Sequence, residues 1–249
     1  MKPVLIVTHL EDRSSGLVRA CLQDAGCEVV QADKVNGDPL PAVASVRGIV
    51  SMGGRESATR VHEDAFLSAE VDLMAAALER EVPVLGLCLG AQLLAVAGGG
   101  RVSAIGRMVA DWEPISLRPG AAADPVFGAL PDGLPVLKWH EDMIEAPPGA
   151  TALATAPGPG AALYRIGQTA WGSQAHLEVT PQLLVDTWLG DPGSTPEIED
   201  AGHPIDEFRA LSRRALERQM PAGRAVFSRF ASALSGRSVG ARPSDSHRR

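Results

Sequence analysis

The chain is short of cysteine, short of basic residues relative to acidic ones, and without a long apolar run; each shortage removes a class of protein. Three cysteines in 249 residues are too few and too scattered for a disulfide framework, and no CxxC pair or histidine spacing suggests a zinc site. A reducing compartment is therefore expected. Cys21 and Cys27 flank the end of a helical pattern in LVRACLQDAGCEVV and read as core packing. Lys and Arg number 23 against 30 Asp and Glu, for a formal net charge of -7. That balance disfavours a nucleic acid as main partner, because such binding rests on clustered cations neutralising phosphates. The only basic cluster, Arg237, Arg242, Arg248 and Arg249, reads as a solvated tail. No stretch approaches the roughly 18 apolar residues of a membrane span, and Lys2 leads straight into VLIVTH without a signal-peptide pattern. The expectation is a cytoplasmic protein with no membrane partner. Phosphate-binding loop patterns are also missing, which leaves no sign of an ATP-binding synthetase.

What is present, in the first hundred residues, is an alternation of short β-branched runs with helical patterns, the mark of an α/β fold with a parallel sheet covered by helices. PVLIVTH, CEVVQA, RGIVSM and PVLGL read as four strands; GLVRACLQDAG, DAFLSAEVDLMAAALERE and AQLLAVAGG read as the helices between and after them. Beyond residue 100 the pattern shifts to MVADWEPISL, LPVLKWH, TALATA, AALYRIG and TAWGSQAH, shorter strands expected to add mixed or antiparallel pairs. TPQLLVDTWLG is expected to be a helix capped by Thr180, GSTPEIEDAGHP a loop, and IDEFRALSRRALERQM and GRAVFSRFASAL two amphipathic helices. These helices suit a sheet edge, with an oligomer contact as the alternative. The division expected is a catalytic unit over 1–190, a helical extension packed on it over 191–235, and a disordered tail over 236–249.

The segment richest in chemistry is VPVLGLCLGAQLLA, an apolar strand entering a helix through Gly86, Leu87, Cys88, Leu89 and Gly90. GxCxG in that context is a nucleophile elbow. Close glycines relieve crowding around a strained turn, and the helix start favours thiolate over thiol. The site should lie at the carboxyl ends of the strands, where open parallel sheets place their ligands. A thiolate nucleophile needs a proton carrier, and among six histidines His176 stands out. It ends a strand pattern in TAWGSQAHLEV, and Glu178 follows two residues later, on the same face of an extended segment, where its carboxylate can fix the imidazole tautomer.

These residues resemble the class I glutamine amidotransferases, whose elbow reads GxCxGxQ and whose histidine and glutamate lie in an HPE-like motif. In this chain they read GLCLGAQ and QAHLE. SMGGRES, residues 51 to 57, is similar to the family's GGPES-like loop, and KWHEDM, residues 138 to 143, to the WHGD segment of the branch resembling the amidotransferase domain of GMP synthase. The resemblance runs from residue 3 to about 190. It implies an open, twisted, mostly parallel sheet of flavodoxin-like kind with helices on both faces. It also implies hydrolysis of the glutamine side-chain amide through a γ-glutamyl thioester, with ammonia passed to an acceptor. Cys88 would attack, His176 would move the proton, and Glu178 would hold His176. The amides of Leu89 and of the Gly53 and Gly54 loop would bind the oxyanion. Gln92 would line the glutamine pocket. His140, with Glu141 and Asp142 beside it, reads as a wall of that pocket and not as a metal site. No cofactor is called for, and a separate synthetase or acceptor protein is implied. The alternatives are a γ-glutamyl peptidase or hydrolase with the same triad, or a catalytically silent regulatory module. Three departures bear on pocket shape. Ala175 replaces an aromatic, Leu177 a proline and Arg55 another proline. Loss of the aromatic at Ala175 would make the leaving-group side roomier, with filling of that volume by Leu177 or Arg55 as the alternative.

Overall fold

The structure, a computed structural model, describes residues 1–158 and 160–235. The tail expected over 236–249 lies outside the described residues. The chain opens with β1 (Val4–Thr8), α1 (Leu17–Asp24), β2 (Val29–Asp33), β3 (Gly48–Ser51), α2 (Ala65–Glu79), β4 (Val84–Leu87) and α3 (Leu89–Ala97), matching the strands and helices expected there. The second part holds β5 (Arg101–Pro114), β6 (Ser116–Leu117), β7 (Pro135–Glu145), β8 (Thr151–Thr155), β9 (Leu163–Ile166) and β10 (Ala170–Ser173). Two helices follow, α4 (Ser194–Asp200) and α5 (Ile205–Ala233).

Eight strands form one sheet in the order β2-β1-β3-β4-β10-β9-β8-β6. The five from β2 to β10 pair in parallel, and the last three join antiparallel. β1 is buried along its whole length, as a central parallel strand covered on both faces must be. Its alternating side chains divide the core. Val4 and Ile6 join Leu17, Leu22, Val226 and Phe230 of α1 and α5 on one face, whereas Leu5 and Val7 join Leu67, Met74 and Leu93 of α2 and α3 on the other. Asp64 starts α2 by accepting from the amides of Phe66 and Leu67, an N-cap that satisfies two otherwise unpaired donors.

The later region departs from expectation in four places. MVADWEPISL is not one strand. Its first part belongs to β5, which pairs with β7 in a separate antiparallel ribbon, and its end is β6 in the main sheet. The segment Gln182–Trp188 is helical but wound as a π-helix. The expected loop after Pro192 contains α4. The two expected C-terminal helices are one, α5, running unbroken through Pro221. Proline in a helix interior costs about 3 kcal/mol, so burial on both sides of it must compensate. Before Pro221, Phe208 and Leu216 pack with Trp112 and Leu184; after it, Val226, Phe227 and Phe230 enter the core beside β1.

Candidate active site

The carboxyl ends of β1, β3, β4 and β10 deliver His9, the Gly53–Gly54 loop, Cys88 and His176 to one cleft of about 700 Å³. Cys88 sits between β4 and α3 at φ 51 and ψ -108, a conformation that costs a non-glycine residue about 1–3 kcal/mol. Its surroundings force that turn. A Cβ on Gly86 would run into the Gly90 carbonyl, and one on Gly90 into the Ser51 carbonyl, so the flanking positions admit only glycine. Backbone bonds from Cys88 N to Ser173 O, 2.8 Å, and from Gly90 N to Met52 O, 3.1 Å, pin the elbow on both sides. Between them Leu89, the first residue of α3, has no intrahelical partner for its amide. The sulfur is buried, donates to the Trp139 carbonyl at 3.6 Å and accepts from Gln174 Nε2 at 3.8 Å.

His176 lies just past β10, held to β7 by its own amide, which donates to the Leu137 carbonyl at 2.8 Å. Its Nδ1 is 2.8 Å from Glu178 Oε1, with both side chains buried. Because the carboxylate can only accept, Nδ1 carries the proton and Nε2 is left for the cleft. Burial opposes charge on the ring, yet the adjoining Cys88 and Glu178 side chains outweigh it and hold the His176 pKa well above 6.5. Gly53 fits between the candidate nucleophile and this ring. A Cβ there would fall 2.9 Å from His176 Cε1 and 3.6 Å from Cys88 Cβ. Gly54 follows, against Leu89 and His9.

Gln92 reaches from α3 toward the Asp142 carbonyl at 3.4 Å and Gln174 Oε1 at 3.5 Å. His140 lines the same cleft. Its Nδ1–H donates to the Asp142 carbonyl at 2.8 Å, and burial, then Lys138, then His176 lower its pKa to about 4. The ring is thus neutral with Nε2 as an acceptor. Among the described residues no group of three or more His, Cys, Asp or Glu could hold a metal ion.

Ala175 does not border this cleft. His176 and Glu178 share one face of the extended segment, so Ala175 and Leu177 point to the other. They enter the core with Trp171 and Val136, and Ala175 borders a separate void beside Lys138. Of the two outcomes weighed for Ala175, the widening therefore lacks support, because the alternation of the strand turns this residue into the core. Arg55, in place of the family's proline, instead ties the glycine loop to Asp191 at 3.2 Å and to Glu197 at 3.1 Å.

Several residues that line or support the cleft carry no local sequence signal. Trp188 packs edge-on to the His176 ring at 5.2 Å and to Trp139 at 6.1 Å, and its indole N–H donates to Asp12. Gln219 of α5 clamps the far side, donating to the His176 carbonyl at 2.9 Å and accepting from Leu137 N at 3.0 Å. His9 is fully buried beside Gly53. Long-range packing brings such residues in, as from Gln219 to His176 across 43 positions of chain.

Comparison with known proteins decides the family. The model described as glutamine amidotransferase class-I matches residues 14–191. The chain belongs to the class I glutamine amidotransferases. A relative within the class is the putative glutamine amidotransferase-like protein YfeJ of Salmonella typhimurium, 29% identical over 185 residues, which cover 73% of this chain and 77% of that protein. The glutamine-hydrolysing GMP synthase subunit of Haloarcula marismortui is 33% identical over 174 residues, covering 69% and 80%. Of the longer GMP synthases from Leifsonia xyli and Bacteroides fragilis, by contrast, the match spans only 35% and 34%. Among solved amidotransferase structures, that from Methylobacillus flagellatus superposes with a TM-score of 0.82 at 23% identity over 99% of this chain and all of that one, a likeness of fold.

Proposed function

We propose that this amidotransferase hydrolyses the side-chain amide of glutamine through a thioester on Cys88 and releases ammonia for a separate acceptor protein. The observation that carries the reading is the grouping, at one cleft, of a strained buried thiol, an imidazole held by a buried carboxylate, and a double-glycine loop against both.

In this reading Cys88 Sγ attacks the γ-carbonyl carbon, and the carbonyl oxygen takes up negative charge near the amides of Leu89 and the Gly53–Gly54 loop. The carbon–nitrogen bond breaks as His176 gives its proton to the departing ammonia. Water then adds to the thioester, with His176 taking a proton from it. The carbon–sulfur bond breaks, glutamate leaves, and the thiolate–imidazolium pair is restored. Glu178 keeps the imidazole oriented and supports its charge throughout. Gln92 and the neutral His140 supply polar contacts for the rest of the substrate.

The same reading takes residues 1–190 as the catalytic unit and 191–235 as an extension on it, supported by the family match ending at 191 and by α5 packing along α1. A partner protein is supported by the likeness to one subunit of a GMP synthase. Hydrolysis of larger γ-glutamyl amides is a second reading, favoured by the cleft volume, which lies in the range of about 300–1,000 Å³ that accepts ligands bigger than an amino acid. Purified protein incubated with glutamine or with a γ-glutamyl dipeptide separates the readings: ammonia release supports the first, amine release the second. A lack of both, together with an unreactive Cys88, leaves the silent regulatory module.

A further inference from the structure

Against the glycine loop, at the edge of the same cleft, lies a second histidine–glutamate pair that the thioester route does not use. His9, one residue past β1, places Nε2 2.8 Å from Glu70 Oε2 on α2, and neither side chain has any exposure. The other ring nitrogen, Nδ1, is 3.3 Å from the Gly53 carbonyl oxygen. A carbonyl only accepts, so Nδ1 donates to it; a carboxylate also accepts, so Nε2 donates as well, and the ring is an imidazolium. Phe66 packs edge-on against this ring at 6.3 Å, and a Cβ on Gly54 would come within 2.8 Å of His9 Cβ. His9 thus touches both glycines. Stability does not account for such a pair, because a buried ion pair is commonly matched or bettered by apolar residues of similar volume. Glu70 moreover keeps one buried oxygen, Oε1, without a hydrogen-bond partner.

We propose that His9 and Glu70 are positioning residues for the oxyanion loop: bound to the Gly53 carbonyl, the pair fixes the Gly53–Gly54 peptide and strengthens its N–H as a donor to the substrate oxyanion. The inference rests on the amide-hydrolysis reading of the same site. The carbonyl oxygen of Gly53 and the N–H of Gly54 belong to one resonant peptide unit. A charged donor on that oxygen draws electron density from the nitrogen and polarises the N–H, as in any chain of hydrogen bonds in a low-dielectric interior. Glu70, on α2 and not itself lining the cleft, holds the charge on His9 and acts on the cleft only through that ring.

The test compares turnover with a reaction of the same thiol that forms no oxyanion. Alkylation by iodoacetamide is a substitution at a saturated carbon and needs Cys88 but not the loop. The double variant His9→Phe/Glu70→Leu removes both charges while keeping a ring against Phe66. Its kcat for ammonia release from glutamine should fall about 10- to 100-fold, less than the loss on deleting an oxyanion donor outright. KM and the rate of Cys88 alkylation should stay at their wild-type values. A folded double variant with wild-type kcat overturns the proposal, as does a parallel fall in kcat, substrate binding and alkylation, which would mark a merely structural role. Should that variant not fold, Glu70→Gln, which keeps an acceptor but loses the charge, should show a smaller fall in kcat alone; unchanged kcat there overturns it equally. A wild-type protein that neither releases ammonia nor is alkylated at Cys88 brings down the functional reading and this one together. A wild type that does both, matched by its variants, discards the positioning role alone.

Discussion

His176–Glu178 and His9–Glu70 are the same electrostatic unit used in two places. In each a buried imidazole lies 2.8 Å from a buried carboxylate, and in each the ring pKa is raised although burial pulls it down. What differs is the neighbour on the other ring nitrogen and the chain distance within the pair. His176 faces the Cys88 sulfur in an open cleft, and its glutamate is two residues away on one strand-like segment. His9 faces a peptide carbonyl, its side chain without exposure at the edge of the cleft, and its glutamate is 61 residues away on a helix. On the proposed route a proton on the first leaves with a product; both nitrogens of the second are already taken up by acceptors of the protein. The comparison teaches that an imidazolium is a proton carrier or a fixed donor according to what it touches, and that the pKa direction alone does not tell them apart.

The largest effect should come from the group that only the first pair serves. Cys88→Ala is expected to abolish release of ammonia or amine while the protein stays folded, since alanine is small enough for the elbow and cannot form a thioester. Turnover by this variant at the wild-type rate would remove the thiol from the mechanism. In wild type, brief iodoacetamide treatment followed by peptide mapping should label Cys88 well ahead of Cys21 and Cys27, which are buried in the core beside β1 and α1.

Next in size is Glu178→Gln. An amide can misplace the Nδ1 proton and supports the imidazolium less well, so turnover should fall by about 10² to 10⁴ with substrate binding retained. That loss should exceed the one from disturbing His9 and Glu70, because on the proposed route His176 carries a proton in each transfer, whereas the second pair would only tune a donor. Measured in the opposite order, the two pairs would have to exchange roles.

A smaller and slower signal lies in stability against pH. The folded pKa of His176 is raised above its unfolded value of about 6.5, so its contribution is fully present below that pH and is lost as pH rises through the folded pKa. The Tm difference between wild type and Glu178→Gln should accordingly be greatest below about pH 6.5 and narrow in more alkaline buffer. A gap that widens with pH would mean that His176 is buried neutral. Melting curves across the range decide it.

How far the sequence foretold these features follows from how local each one is. β1 to β4, their helices and the elbow rest on patterns a few residues long: apolar strand, glycine, cysteine, glycine, helix. His176 and Glu178 were legible because period-two alternation fixes their shared face. His9–Glu70, Trp188 and Gln219 were not, since each is placed by packing between segments tens of residues apart and by nothing in its own neighbourhood. Pro221 shows the converse failure. A strong local stop signal in QMPAGR is overridden because Phe208 and Leu216 on one side, and Val226 and Phe230 on the other, bury themselves in two different clusters along one continuous helix. Gly223 helps by bringing α5 against the Leu177 carbonyl, where a Cβ would clash. The ribbon of β5 and β7 was missed because its partner choice is a long-range matter that alternation cannot encode.

The same alternation yields the smallest expected effect. If neighbours on opposite faces of 175–178 belong to different environments, enlarging Ala175 should leave substrate preference alone. Phenylalanine there would press into the core around Trp171 and Val136, an overpacking worth about 1–3 kcal/mol of stability, so a lower Tm is expected. The ratio of kcat/KM for glutamine to that for a γ-glutamyl dipeptide should not move. Trp188→Ala is the proper contrast, because this ring does border the cleft and lies against His176. Its removal should shift the ratio toward the dipeptide by about 10-fold, the lower end of what a changed apolar pocket wall gives. Should Ala175→Phe shift the ratio and Trp188→Ala leave it, the leaving-group side must lie beyond the core face of this segment, and the assignment of His176 and Glu178 to the cleft face would lose its main geometric support.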